Sequence, residues 1–269
     1  MRISVMSLGF ERAVAEGRMK HEEVLRCCKE GGAGGFEPST RFIKDMRGRA
    51  KELLEKYELE VPCVDVQVEL IQRDPAARAA AAEELISLVN LAQYLGAQGL
   101  MIVPGGLRDG ITFEEALPWV VSGIERAMPR AAEMRVTLMV EQMGYEGAFC
   151  RTREQLLAIA GAIPPIGSFG LCFDGGNSVR NGEDPVAILV RLAHRVQHVH
   201  LKDWTREGDL WRNARLGEGI VPQKEMLEQL RYRDYRGYLS VEHSGDGDPC
   251  EEAQHGIAYA RRLMGEGAA

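Results

Sequence analysis

Residues 169–202 read FGLCFDGGNSVRNGEDPVAILVRLAHRVQHVHLK. The apolar run from Phe169 closes on Asp174, a helical stretch follows from Pro185 to Arg195, and a second apolar run from Val196 carries His200 and Lys202 at its end. Asp184 before Pro185 is a helix start, because Asp offers an oxygen to free backbone N–H groups and Pro has a preset φ at the first helical position. Strands rich in Val, Leu and Phe, joined through a helix, are the pattern of neighbouring parallel strands covered on both faces.

The same unit recurs outward in both directions. Apolar runs of strand length lie at Ile3 to Leu8, Gly35 to Pro38, Val61 to Val68, Leu100 to Pro104, Val136 to Glu141, Phe169 to Asp174, Val196 to Lys202 and Tyr238 to Glu242. The clearest helical stretches between and after them are Ala76 to Leu95, Phe113 to Met134, Thr152 to Ala162, Pro185 to Arg195 and Cys250 to Met264. Such alternation predicts an α/β fold, a single (β/α)8 TIM barrel over residues 1–269, and a barrel of this kind takes about 250 residues. An open dinucleotide-binding sheet would show G-x-G-x-x-G after the first strand. Ser7-Leu8-Gly9-Phe10-Glu11 lacks that pattern, and the glycines at 31, 32, 34 and 35 precede a strand, where they read as a turn.

Composition narrows the partners. The net charge is -7, from 33 Lys+Arg against 40 Asp+Glu, so a nucleic-acid backbone meets no general attraction. The apolar start of the chain gives way at Glu11 and Arg12, too early for a membrane or secretory segment. A soluble cytoplasmic protein is expected, with a small-molecule partner and room for a homo-oligomer. The cysteines at 27, 28, 63, 150, 172 and 250 form no C-x-x-C pair and suggest neither a thiolate zinc site nor a disulfide framework. Cys27 and Cys28, in an apolar-periodic stretch, are read as packing residues.

The carboxyl ends of barrel strands form the working face. Four consecutive strands end on ionisable residues: Glu141, Asp174, His200 and Glu242. A carboxylate at the close of an apolar strand is costly to bury unpaired, and convergence on one cation removes that cost. Three carboxylates and one imidazole suit a divalent metal ion, with Mn²⁺ expected and Mg²⁺, Co²⁺ or Zn²⁺ accommodated.

The segments Val140-Glu141-Gln142, Leu171 to Asn177, His198-Val199-His200-Leu201-Lys202-Asp203, Leu216 to Ile220 and Ser240 to His243 resemble the sugar phosphate isomerase/epimerase family of xylose isomerase-like barrels. The likeness is specific mainly from about residue 135 onward. It implies that Glu141, Asp174, His200 and Glu242 bind the metal and that Glu141 and Glu242 act as an acid/base pair. The string from His200 to Asp203 is similar to that of inosose dehydratases and pentulose phosphate epimerases. The expected activity is therefore isomerisation or epimerisation of a ketose or ketose phosphate, by removing a proton beside a metal-polarised carbonyl. A metal-dependent dehydratase of a keto-inositol or related ketone is the alternative.

Lys202, two positions beyond His200, is expected on the same strand face, as a contact for a carbonyl oxygen, phosphate or leaving hydroxyl; the bland alternative is a salt bridge with Asp203. Asn177 stands where many family members carry a substrate-contacting His. Glu37 matches a family position near substrate, with helix capping as its competing role. Glu218, between Gly217 and Gly219, belongs to a loop that covers the site in relatives. Trp204 and Trp211 are read either as an apolar wall for a sugar ring or as loop packing. His198 and His243 are read as structural, turned away by strand alternation. An abasic-site nuclease like endonuclease IV needs far more histidine ligands than the six present, and a non-catalytic sugar-binding barrel is the remaining alternative.

Overall fold

A computed structural model describes residues 1–46, 48–164, 168–243 and 247–265. Eight parallel strands form one sheet: β1 (Arg2–Met6), β2 (Gly35–Glu37), β3 (Val64–Gln67), β4 (Gly99–Val103), β5 (Thr137–Glu141), β6 (Phe169–Asp174), β7 (Val196–Leu201) and, after an inserted hairpin, β10 (Tyr238–Val241). The hairpin pairs β8 (Asp203–Glu207) with β9 (Leu210–Ala214) in antiparallel register. The sequence predicts only a loop here, because beyond Asp203 and Trp204 the two strands bury no residue and present no apolar face.

The sheet order β2-β1-β10-β7-β6-β5-β4-β3 curls into a nearly closed barrel. Its seam is held by isolated bridges, Gly35 to Glu60 and Ser39 to Asp65, with Phe36 N–H donating to the Glu60 carbonyl at 2.8 Å and Asp65 N–H to that of Pro38 at 3.0 Å. The eight expected strands are all present. The first and third are shorter than their apolar runs: Leu8 opens a helix, Leu8–Ala15, and Val61 to Cys63 stay outside the ladder.

Most buried apolar side chains lie between barrel and helices, such as Leu85, Val89, Ile124, Ala127, Ile188 and Ile257. A second cluster fills the barrel interior with Met6, Cys63, Met101, Val103, Met139 and Cys172. Sulfur dominates it, which suits an irregular space below a polar site because thioethers adapt their shape. Several helices start on anticipated caps: Asp184 accepts from Val186 and Ala187 N–H, and Asp248 from Cys250 and Glu251 N–H.

One expectation about cysteine is corrected. Cys27, on the helix His21–Gly31, forms a disulfide with Cys250, on the helix Pro249–Met264, at a Cα separation of 5.9 Å. These helices pack side by side although the cysteines lie 223 residues apart, a pairing that local spacing does not reveal. Cys28 is free and buried, as a packing residue should be. Among the described residues no helix is long and apolar enough to cross a membrane.

Candidate metal centre and active site

Asp174 ends β6 and also caps the next helix, Gly175–Arg180: its Oδ1 accepts from Asn177 N–H at 2.9 Å. Capping fixes the carboxylate and leaves Oδ2 buried with no hydrogen-bond partner. Gly176 lets this helix start close to the following strand, since a Cβ there would lie 3.0 Å from the Lys202 side chain and carbonyl. Burial, with Glu242 and Glu141 nearby, raises the Asp174 carboxyl to about 7 despite the opposing Lys202 ammonium. Uncompensated carboxylate burial of this kind is what a cation relieves.

The ligand atoms of Glu141, Asp174, His200 and Glu242 lie within 4.8 Å of one another, and all four residues are buried. His200 Nδ1 is 2.8 Å from Glu141 Oε1 and 3.4 Å from Glu242 Oε2. Its Nε2 faces the other way, 3.0 Å from Glu37 Oε1. Burial opposes charge on His200, but the neighbouring Cys172 sulfur and the Glu37 and Glu141 carboxylates outweigh it and hold the imidazole well above its ordinary range. Burial would also raise Glu242; the Lys202 ammonium and His200 overcome that and hold it at about 2. The donor set, with the buried Asp174 Oδ2 that no hydrogen bond satisfies, fits a divalent ion.

Lys202 follows β7 and points inward, its Nζ paired with Glu242 and 3.5 Å from Asp174 Oδ2. It makes no pair with Asp203, which instead accepts backbone N–H groups from Trp204, Gly217, Gly219 and Val221. Asp203 thus ties the loop bearing Glu218 to the end of β7, and that loop presents Glu218 to solvent.

A cavity of about 460 Å³ opens above the four residues. Glu141, Glu242, Lys202 and Asn177 line it; Glu37 and Glu218 do not. Asn177 donates from Nδ2 to the Gln142 carbonyl at 2.9 Å, which ties the helix after β6 to the end of β5. Trp204 is buried under Arg180, 4.7 Å from guanidinium to ring, and neither Trp204 nor Trp211 reaches the cavity.

Glu37 is fully buried beneath the four candidate ligand residues. Its Oε2 meets His198 Nε2 at 2.8 Å and its Oε1 meets His200, so its place is under the site and not against a substrate. His198 lies two residues from His200, and alternation therefore carries it to the same face; reading it as turned away was mistaken. The two rings meet edge to face with centroids 5.2 Å apart. His243 does turn away: its ring packs on Phe10 at 4.9 Å, and burial lowers it to about 4.

Asp65 and Gln67 also line the cavity, projecting from β3 while Val64 and Val66 face the helices. Burial, with Glu141 and Glu37 nearby, pushes the Asp65 carboxyl well above the usual range. The sequence signal for them is the period-two alternation of Cys63, Asp65 and Gln67, which lies inside a strand and not at its carboxyl end. Arg41, Tyr145 and Arg180 join from loops and helices, where no strand pattern identifies them.

The rhizopine catabolism protein MocC of Rhizobium meliloti is 29% identical over 269 residues, covering 89% of this chain and 78% of MocC. The inosose dehydratase of Geobacillus thermodenitrificans is 26% identical over 186 residues, covering 62% of this chain and 61% of the dehydratase, under two thirds of its length. The solved structure of a zinc-bound IolI protein superposes with a TM-score of 0.85 at 16% identity over 100% of both chains, a likeness of fold. The family described as xylose isomerase-like TIM barrel matches residues 25–263. With eight parallel strands, polar strand ends gathered at one mouth and a match over most of its length, the chain belongs to the xylose isomerase-like TIM barrel family.

Proposed function

We propose that this protein is a divalent-metal-dependent sugar isomerase or epimerase that acts on a ketose or ketose phosphate. The observation that carries the reading is that Glu141 and Glu242 line one cavity and both approach His200 Nδ1, at 2.8 and 3.4 Å, while Asp174 offers a ligand atom within 4.8 Å of theirs. Glu141, Asp174, His200 and Glu242 would hold the ion, with Mn²⁺ favoured and Mg²⁺, Co²⁺ or Zn²⁺ compatible. Once bound, it supplies Lewis acidity to a substrate carbonyl.

Glu141 and Glu242 approach from different strands, so one carboxylate takes the proton from the carbon beside the carbonyl and the other delivers one. Delivery to the opposite face of that carbon inverts it; delivery to the neighbouring carbon moves the carbonyl. Lys202 lies against Glu242 and Asp174, where its ammonium stabilises negative charge developing on substrate oxygen. It also balances charge, because three ligand carboxylates exceed a divalent ion by one.

A dehydratase of a keto-inositol or related ketone is the second reading, favoured by the similarity to inosose dehydratases. The same carboxylate would remove the proton, and a protonated neighbour, Lys202 or the second glutamic acid, would give its proton to the departing hydroxyl as water. A soluble cytoplasmic enzyme of carbohydrate metabolism fits either reading. Metal-loaded protein incubated in D₂O with ketoses, ketose phosphates and inososes, followed by NMR, identifies the exchanging carbon. Conjugated enone or diketone absorbance marks dehydration, while exchange without it marks isomerisation or epimerisation. Exchange with none of the panel would overturn both readings.

A further inference from the structure

We propose that Glu37 is a positioning residue that fixes His200 with its proton on Nε2 and its Nδ1 toward the cation, an inference that rests on the metal-site reading above. Glu37 touches neither the cavity nor the other three ligand residues. It is 0% exposed, and its two carboxylate oxygens meet His198 Nε2 at 2.8 Å and His200 Nε2 at 3.0 Å, with the Cys63 sulfur within 4.8 Å. Each carboxylate oxygen thus lies at hydrogen-bond distance from a ring nitrogen and accepts its N–H.

With a Glu37 oxygen accepting at 3.0 Å, the His200 nitrogen that faces it is the one that carries hydrogen. The other nitrogen then points to Glu141 and Glu242, where the cation would lie. The orientation is fixed at both ends. His198 packs edge-on against His200 and holds the second oxygen of Glu37. Carboxylates that accept the outer N–H of a ligating His set its tautomer and increase its basicity, and removing them weakens metal binding by about 10- to 100-fold. The strand pairing makes this possible without long loops. β2 ends on Glu37, and β7 brings His198 and His200 up on the opposite side of a narrow barrel.

The test uses zinc and the full chain. In wild type, long-range ¹H–¹⁵N spectra of the zinc-loaded protein should show His200 ligating through Nδ1, with a downfield Nε2–H slow to exchange with water. Glu37→Gln should bind zinc about 10- to 100-fold more weakly in competition with a chelator and lose the protected Nε2–H signal. His198→Asn, which leaves the carboxylate but frees one of its oxygens, should weaken zinc by a smaller factor. Ligation through Nε2 in wild type would overturn the inference, and this holds even if Glu37→Gln fails to fold. So would a folded Glu37→Gln with wild-type zinc affinity and an unchanged His200 spectrum, the result expected of a residue that only supports packing. Wild type that binds no divalent ion would instead refute the metal centre itself.

Discussion

Glu141 ends β5, Glu242 directly follows β10, and both face the cavity, so replacing either by Gln separates the two tasks proposed for them. An amide keeps an oxygen for the metal but cannot take up a carbon-bound proton. Glu141→Gln and Glu242→Gln should therefore fold, bind metal more weakly and lose at least about 10²-fold in turnover, the low end of acid/base contributions. Turnover and D₂O exchange like wild type in both variants would eliminate the proton-transfer mechanism. Asp174 gives a pH prediction. Its carboxyl rises from 3.8 to about 7 in the metal-free site through burial and the neighbouring carboxylates, and His200 is held protonated there. A cation needs both deprotonated, so affinity should climb as pH rises through about 7 and binding should release protons. For the metal-free fold the sign is opposite. A carboxyl whose folded value exceeds its unfolded one favours the fold at low pH, and that contribution fades between 3.8 and about 7. Calorimetry near pH 6 in buffers of different ionisation enthalpy counts the protons; a binding heat independent of buffer would contradict this. At this scale the sequence disclosed ligand candidates whose polarity interrupts an apolar run. It concealed Glu37's true neighbours, since contact between β2 and β7 depends on barrel closure.

Among the elements, the loop after β7 shows how one buried carboxylate organises a segment. Asp203 gathers four backbone N–H groups, from Trp204, Gly217, Gly219 and Val221, at 2.9 to 3.1 Å. Hydrogen bonds to a charged group contribute about 1.5 to 3 kcal/mol each, though not additively. Asp203→Ala should therefore cost at least about 3 kcal/mol and loosen hydrogen exchange in residues 203–221 before the rest of the barrel. Denaturant unfolding with exchange mass spectrometry measures both effects, and a loss within 0.5 kcal/mol (about the scatter of an ordinary surface change) would remove this role. Glycines at 217 and 219 were legible as a turn. What they turn around was not, because a carboxylate 14 to 16 residues upstream leaves no local periodic mark. Helices were clearer: Asp74, Thr112, Thr152, Asp184 and Asp248 all cap where polar residues precede apolar periodicity. The β8–β9 hairpin was missed for the converse reason, since Thr205, Arg206, Arg212 and Asn213 offer no buried face.

Across the whole molecule, parallel topology brings the charges together. β5, β6, β7 and β10 are neighbours in the sheet, so successive strand ends deliver Glu141, Asp174, His200 and Glu242 to one mouth, with Glu37 entering from β2 below. Neighbouring strand ends are inherent in eight βα repeats, which is why the architecture and the candidate ligand set could be read together from the sequence; the polar wall from β3 could not, because cavity shape decides it. The cost of the arrangement is a metal-free barrel carrying five acidic side chains near one another, Glu37, Asp65, Glu141, Asp174 and Glu242, with Lys202 paired to two of them. A divalent ion that binds the fold and not the unfolded chain should stabilise it by about 2.7 kcal/mol at a hundredfold excess over Kd. For a chain of this size each kcal/mol moves Tm by about 2 to 4 °C, so the expected rise is on the order of 5 to 10 °C. Thermal melts of chelator-treated protein with added Mn²⁺, Zn²⁺, Mg²⁺ and Co²⁺ rank the ions by this shift. Asp174→Asn serves as the control, because it keeps an oxygen to cap the helix Gly175–Arg180 but removes a charged ligand. Its melt should respond much less to the same ions while its metal-free Tm equals or exceeds that of wild type, given the relief of carboxylate repulsion. Equal shifts in both proteins would place the stabilising ion elsewhere on the barrel.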